Sequence, residues 1–146
     1  MFAFNLQPVL NYRKTIEEKK LTEFADRQRK LAEEKELLQG ICEEKRQITE
    51  QLKNIQQGTF YAADVSFSLA YVGVLNEKEI AQQKLVVRIE AEVEHLRKEL
   101  LEKVKDRKMI DIIKEHKLVE FKIGIASLER KAIEETAIQA FVRKNK

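Results

Sequence analysis

The sequence predicts an all-α protein made of two long helices folded into an antiparallel coiled-coil hairpin. Three observations point there. Glu, Lys, Gln, Leu, Ala and Arg dominate, and all are good helix formers. Turn residues are scarce: there is one proline, Pro8, and there are four glycines, Gly40, Gly58, Gly73 and Gly124. Finally, one stretch with a single charge, GTFYAADVSFSLAYVGVL at 58–75, divides a chain in which charged residues make up 36%. The chain of 146 residues reads as one elongated domain, with a first helix over about 6–56, a turn over about 57–62 and a second helix over about 63–143.

The first helix carries a seam that can be stepped by three and four: Leu10, Lys14, Glu17, Leu21, Phe24, Gln28, Leu31, Lys35, Leu38. After Leu38 one step falls short, and the seam resumes at Ile41, Lys45, Ile48, Leu52 and Ile55. Leu, Ile or Phe fills nine of these fourteen positions, which reads as a coiled-coil stripe with a phase slip near Gly40. NIQQGTF at 54–60 then interrupts the pattern. Gly58 suits a helix stop in the left-handed conformation, and Thr59 or Asp64 could cap the second helix.

The second helix shows its best stripe at Ile89, Val93, Leu96, Leu100 and Val104, and again at Leu118, Phe121, Ile125, Leu128 and Ala132. RKMIDIIKEHK blurs the stripe between them. The glycine at 124 offers a place where another helix could approach closely. Neither helix can bury its stripe alone, and the short connection favours antiparallel neighbours. The arms are unequal, with 57 residues before Gly58 and 88 after it. Either the C-terminal arm overhangs and needs a partner, or the helix breaks again near Gly73.

Composition argues against several functions. The net charge is +3, from 28 basic and 25 acidic residues with interspersed signs, so no nucleic-acid footprint stands out. Cys42 is alone, which excludes an internal disulfide and fits a reducing cytosol. The opening MFAFNLQPVLNYRK lacks the leading positive charge of a signal peptide. The apolar window runs about 16 residues and is interrupted by Asp64, Ser66 and Ser68, where a membrane span needs about 20. The chain therefore reads as soluble.

No catalytic constellation is visible. His95 has Glu92 and Glu99 at helix spacing, but two ligands without a third make a poor metal site, and an exposed ion-pairing face is the plainer reading. No phosphate-binding G-x-x-x-x-G-K-[ST] loop occurs. The expectation is a non-enzymatic protein with no cofactor and no metal.

The window between Asn54 and Asn76 holds a single charge, Asp64, and four of the ten aromatics: Phe60, Tyr61, Phe67 and Tyr71. On a helix, Val65, Leu69 and Val72 share a face that can continue the seam. Phe67, Tyr71, Val74 and Leu75 fall on other faces. Contiguous exposed apolar surface commonly marks an interaction site.

The motifs together resemble the flagellar export chaperone FliJ family. FAFNLQPVLNYRK is similar to that family's opening, carried by Phe4, Leu6, Gln7, Val9, Leu10 and Arg13. LAYVGVLNEKEIAQQ is similar to its segment after the break, carried by Tyr71, Val72, Leu75 and Ile80, the last one residue later than the pattern has it. DRKMIDIIKEHK and LERKAIEETAIQAFVRK resemble its Arg-Lys segment and its Phe-x-Arg ending.

The resemblance implies a two-helix antiparallel rod similar to the stalk coiled coil of rotary ATPases, and a cytoplasmic component of flagellar type III protein export, peripherally associated with the inner-membrane export gate. It implies three partners: the hexameric flagellar export ATPase, whose ring assembly and hydrolysis it promotes, the cytoplasmic domain of the export-gate membrane protein, and substrate-specific export chaperones. Combined with the uncharged window, it places gate contacts at Phe67, Tyr71, Val72 and Leu75. The ATPase contact is expected on the terminal half, at Leu6, Leu10, Arg13, Phe141 and Arg143. Three alternatives stay open: the equivalent stalk protein of a virulence secretion system, a structural coiled-coil spacer, and a prefoldin-like holdase.

Overall fold

A computed structural model describes residues 1–55, 58 and 61–145. It contains two helices, α1 (Gln7–Ile55) and α2 (Ala62–Lys144), which pack against each other as an all-α hairpin. Among the described residues there is no strand.

Helix α1 begins where the chemistry allows. Pro8 sits in its first turn, where a missing N–H leaves no helical bond unmade. Ahead of it, the Gln7 N–H donates to the Phe4 carbonyl and the Leu10 N–H to the Leu6 carbonyl, each at 3.0 Å. The helix ends at Ile55, with Lys53 in the last turn, where a cation complements the dipole. Gly58 donates its N–H to the Ile55 carbonyl at 3.1 Å. It does not adopt the expected left-handed conformation, because no described glycine has positive φ.

The capping expectation for α2 also changes. Thr59 lies outside the described residues. Asp64 is not the cap: its N–H and that of Val65 both donate to the Tyr61 carbonyl, which puts Tyr61 at the helix entrance. Asp64 belongs to the first turn, where a carboxylate is favoured by the dipole. Helix α2 then runs 83 residues without a break, so the alternative break at Gly73 is excluded. A side chain at Gly124 would meet open space, so no close helix approach occurs there.

The chain divides into two compact units, one formed by Met1–Glu18 with Leu101–Lys146 and one by Lys19–Leu100. In the second unit, the covered face of α1 runs Lys20, Phe24, Arg27, Leu31, Glu34, Leu38 and on to Ile55 in alternating steps of four and three. The matching face of α2 runs from Val65 and Ser68 through Val72, Leu75, Glu79 and Gln82 to Leu100 in the same alternation. Leu75 and Ile89 are its best-buried side chains.

This corrects the predicted seam. Leu21, Gln28 and Lys35 are exposed, and the covered positions are their neighbours Lys20, Arg27 and Glu34. With that substitution the repeat passes Gly40 without any phase slip. An apolar-only reading chose Leu21 over Lys20 because it ignored the aliphatic stems that long charged side chains lay along a seam while their heads reach its edge. Those heads are paired across the hairpin. Lys20 binds Glu99 at 2.9 Å, Arg27 Nε donates to Glu92 at 2.6 Å, and Lys45 binds Glu79 at 2.9 Å. The Lys20 ammonium holds the Glu99 carboxyl below the usual carboxylate range, and Lys45 does the same for Glu79.

In the terminal unit, Leu10 and Ile110 form the buried apolar centre. Arg13 donates to the Asp106 carbonyl at 2.7 Å, Arg107 pairs with Glu17 and Asp111, and Lys114 donates to Gln7 Oε1 at 2.7 Å. Helix α2 is thus covered through RKMIDIIKEHK after all, and the predicted blur reflects charged residues occupying seam positions. The Phe2 ring rests on the Phe121 ring, with centroids 5.5 Å apart.

Candidate functional site

The chemistry of this chain lies on surfaces that neither helix covers. In the Lys19–Leu100 unit the start of α2 leaves Tyr61, Phe67, Leu69 and Val74 exposed. Phe67, Tyr71 and Val74 are spaced four and three residues apart, which puts them on one flank of the helix. Phe67 is 75% exposed at the edge of this flank. Tyr71 is half-buried, and its hydroxyl donates to the Glu44 carboxylate of α1. That bond, followed by desolvation, pushes the Tyr71 phenol above its ordinary value.

The predicted gate-contact set therefore splits. Phe67 and Tyr71 lie on the outer flank. Val72 is half-buried in the covered face, and Leu75 is only 1% exposed. The sequence reading put Leu75 on an outer face and Leu69 on the seam. The structure reverses the two, because in a window with almost no charges nothing marks which apolar residue faces out. Val74 and Glu44 join this surface instead. The sequence placed Val74 on an outer face, as the structure does, but left it out of the contact set. Glu44 comes from the other helix, and no local pattern could have supplied it.

The terminal set splits as well. Leu10 is fully buried, and Arg13 is half-buried and committed to Asp106. Leu6, Phe141 and Arg143 are exposed. Phe141 lies 20 residues beyond Phe121, the residue on which Phe2 rests, and that is about 30 Å along a helix. Leu6 and Phe141 thus belong to separate parts of the terminal unit. Beyond Phe121, α2 buries nothing: Ile123, Leu128, Ile133, Ile138, Phe141 and Val142 are each more than half exposed. Nearer the N-terminus, Phe2, Phe4, Leu6, Ile113, Lys117 and Phe121 line an open groove of about 780 Å³.

The titratable groups have ordinary partners. His95 Nε2 lies 2.8 Å from Glu99, while Glu92 turns to Arg27. Among the described residues no three His, Cys, Asp or Glu side chains are placed to hold a metal ion. Cys42 is half-buried with its Sγ 3.5 Å from Glu79 Oε1, and burial pushes its thiol up. A raised thiol is a weak nucleophile. No described helix is long and apolar enough to cross a membrane.

A helical hairpin with a charge-laced seam and uncovered apolar flanks defines a coiled-coil protein whose chemistry is that of its outer surfaces. The chain belongs to the family described as Flagellar FliJ protein, which matches it over residues 2–146. Membership makes it a component of the flagellar export apparatus. Neither a curated protein nor a solved structure matches it.

Proposed function

We propose that the chain is a non-enzymatic binding component of flagellar type III export. It engages the hexameric export ATPase and promotes ring assembly and hydrolysis. It also docks on the cytoplasmic domain of the export-gate membrane protein, and so associates peripherally with the inner membrane. Escort of substrate-specific export chaperones is supported by the family resemblance alone.

One observation carries the reading: the last 23 residues of α2, beyond Phe121, and the flank at Phe67 hold large apolar side chains that no part of the chain covers. Exposed apolar surface of this extent is characteristic of a docking site. The ATPase contact falls on the run from Ile123 to Val142 with Arg143, and on Leu6. The gate contact falls on Phe67, Tyr71 and Val74. Leu10 and Leu75 support these surfaces from behind and contact no partner.

The test is hydrolysis by the cognate export ATPase with and without the full chain. Stimulation that falls when Ile138 and Phe141 are both changed to Asp is expected. An ATPase that ignores the parent chain would refute the function. Full stimulation by the double variant would refute the assigned contact.

A further inference from the structure

Glu34 is the one charged residue buried among the described residues, at 6% exposure. It occupies a covered position of α1, and its surroundings are complete. The Gln82 amide donates to the Glu34 backbone carbonyl at 2.9 Å and to its carboxylate at 2.5 Å, and Lys30 pairs with the same carboxylate at 2.8 Å. A buried carboxylate adds little net stability over a well-packed apolar residue, whereas one stripped of its partners is strongly destabilising. What such a group does well is to distinguish one helix alignment from another.

The other cross-hairpin pairs in this unit distinguish alignments less sharply: Lys45–Glu79 and Lys35–Glu90 lose their partners on a slide, but their heads stay partly in water, where a lost ion pair costs little. Lys20–Glu99 and Arg27–Glu92 repeat at seven-residue intervals on both helices. Sliding the helices by one heptad in one direction brings Arg27 to Glu99, and in the other brings Lys20 to Glu92, so a basic–acidic pair survives either way. Glu34 behaves differently. Seven residues from Gln82 on either side stand Leu75 and Ile89, which are 1% and 2% exposed. Either slide presses the buried carboxylate onto a fully buried aliphatic side chain and leaves Gln82 without its acceptor.

We propose that the Glu34–Gln82 pair is the register key of the hairpin: it removes the seven-residue ambiguity that the repeated ion pairs leave, and so sets which residues of α2 face outward beside which residues of α1. The composite flank of Glu44 and Tyr71 depends on that setting, because a heptad slide parts the two.

The register can be read by cross-linking with a short bismaleimide, which spans the gap between cysteines placed where a long ion pair stood, in a chain whose Cys42 is replaced by Ser. Lys35 and Glu90 are partners in the native alignment, 3.4 Å apart. The pair Lys35→Cys with Glu90→Cys therefore reports that alignment. Lys35→Cys with Gln83→Cys, and Lys35→Cys with Arg97→Cys, report the two slid ones. With Glu34 present, only the native pair is expected to be closed by the cross-linker. With Glu34→Leu, at least one slid pair should close in yield comparable to the native pair, while the helical spectrum is kept. Glu34→Gln, which still offers Gln82 a polar partner, should restore the native pair alone. A Glu34→Leu chain that closes only the native pair overturns the proposal. So does one that loses its helical spectrum, because the proposal requires leucine to fit an aliphatic seam.

Discussion

Replacing Leu75 by Ala separates packing from docking at the start of α2. Leu75 is 1% exposed, so almost all of its side chain leaves water on folding. The change removes three buried carbons, worth about 2.4 kcal/mol at ~0.8 kcal/mol each. An unfilled space adds to this, and leucine-to-alanine changes in cores cost about 2–5 kcal/mol. A two-helix seam collapses more readily than an enclosed core, so about 2.5 kcal/mol is expected. For a chain of this size, that corresponds to a fall in Tm of roughly 8 °C. Phe67→Ala is the matched control, since a residue 75% exposed should change stability by no more than about 0.5 kcal/mol. The assay is thermal melting of the helical circular dichroism signal. A Leu75→Ala melt within about 2 °C of the parent, or a larger loss for Phe67→Ala than for Leu75→Ala, would refute the assignment of faces on α2.

The remaining predictions concern the surfaces and the charges. Phe67→Asp combined with Val74→Asp should weaken binding to the export-gate cytoplasmic domain by at least about tenfold with no change in helicity, measured by titration calorimetry; equal affinity would remove that flank from the contact. Reversing one member of the Lys20–Glu99 pair should lower Tm, and the double swap Lys20→Glu with Glu99→Lys should recover most of it; a double variant no better than either single one would show that the pair does not interact. Acid should loosen the hairpin. The carboxyls of Glu34, Glu79 and Glu99 are held below the ordinary value of 4.5, chiefly by Lys30, Lys45 and Lys20. Their stabilisation is complete above 4.5 and disappears as pH falls through the lowered folded values. Tm should therefore be flat from neutral pH down to about 5 and drop below it; a melt that stays constant to about pH 3 would contradict these pairs.

The helices were legible almost to their ends, because propensity and the scarcity of Gly and Pro leave the backbone little alternative. The predicted bounds of about 6–56 and 63–143 stand beside Gln7–Ile55 and Ala62–Lys144. The seam was half legible. Leu10, Phe24, Leu31 and Leu38 were found by their apolarity, but Lys20 and Arg27 were passed over for Leu21 and Gln28, since a charge reads as surface until its partner on the other helix is known, and the same phase took Lys14 over Arg13 and Lys35 over Glu34. Among candidate contacts, Phe67 and Tyr71 were legible as aromatics in an uncharged stretch. Leu75 was misplaced for the opposite reason, since apolar character alone does not say whether a residue faces the partner helix or the solvent, and Leu10, rightly read onto the seam, is too buried for the contact also assigned to it.

The pairing geometry carries a consequence for how the chain folds. The bond between Tyr71 and Glu44 closes a loop of 27 residues, Arg27 with Glu92 closes 65, and Lys114 with Gln7 closes 107. Closure entropy rises with loop length, but each pair formed shortens the loop left for the next. Folding therefore zips from contacts near the connection toward the chain termini, and each step is local once the previous one stands. The same order in reverse governs opening. Backbone amides of the terminal unit are therefore expected to exchange fastest, which hydrogen-exchange mass spectrometry would check.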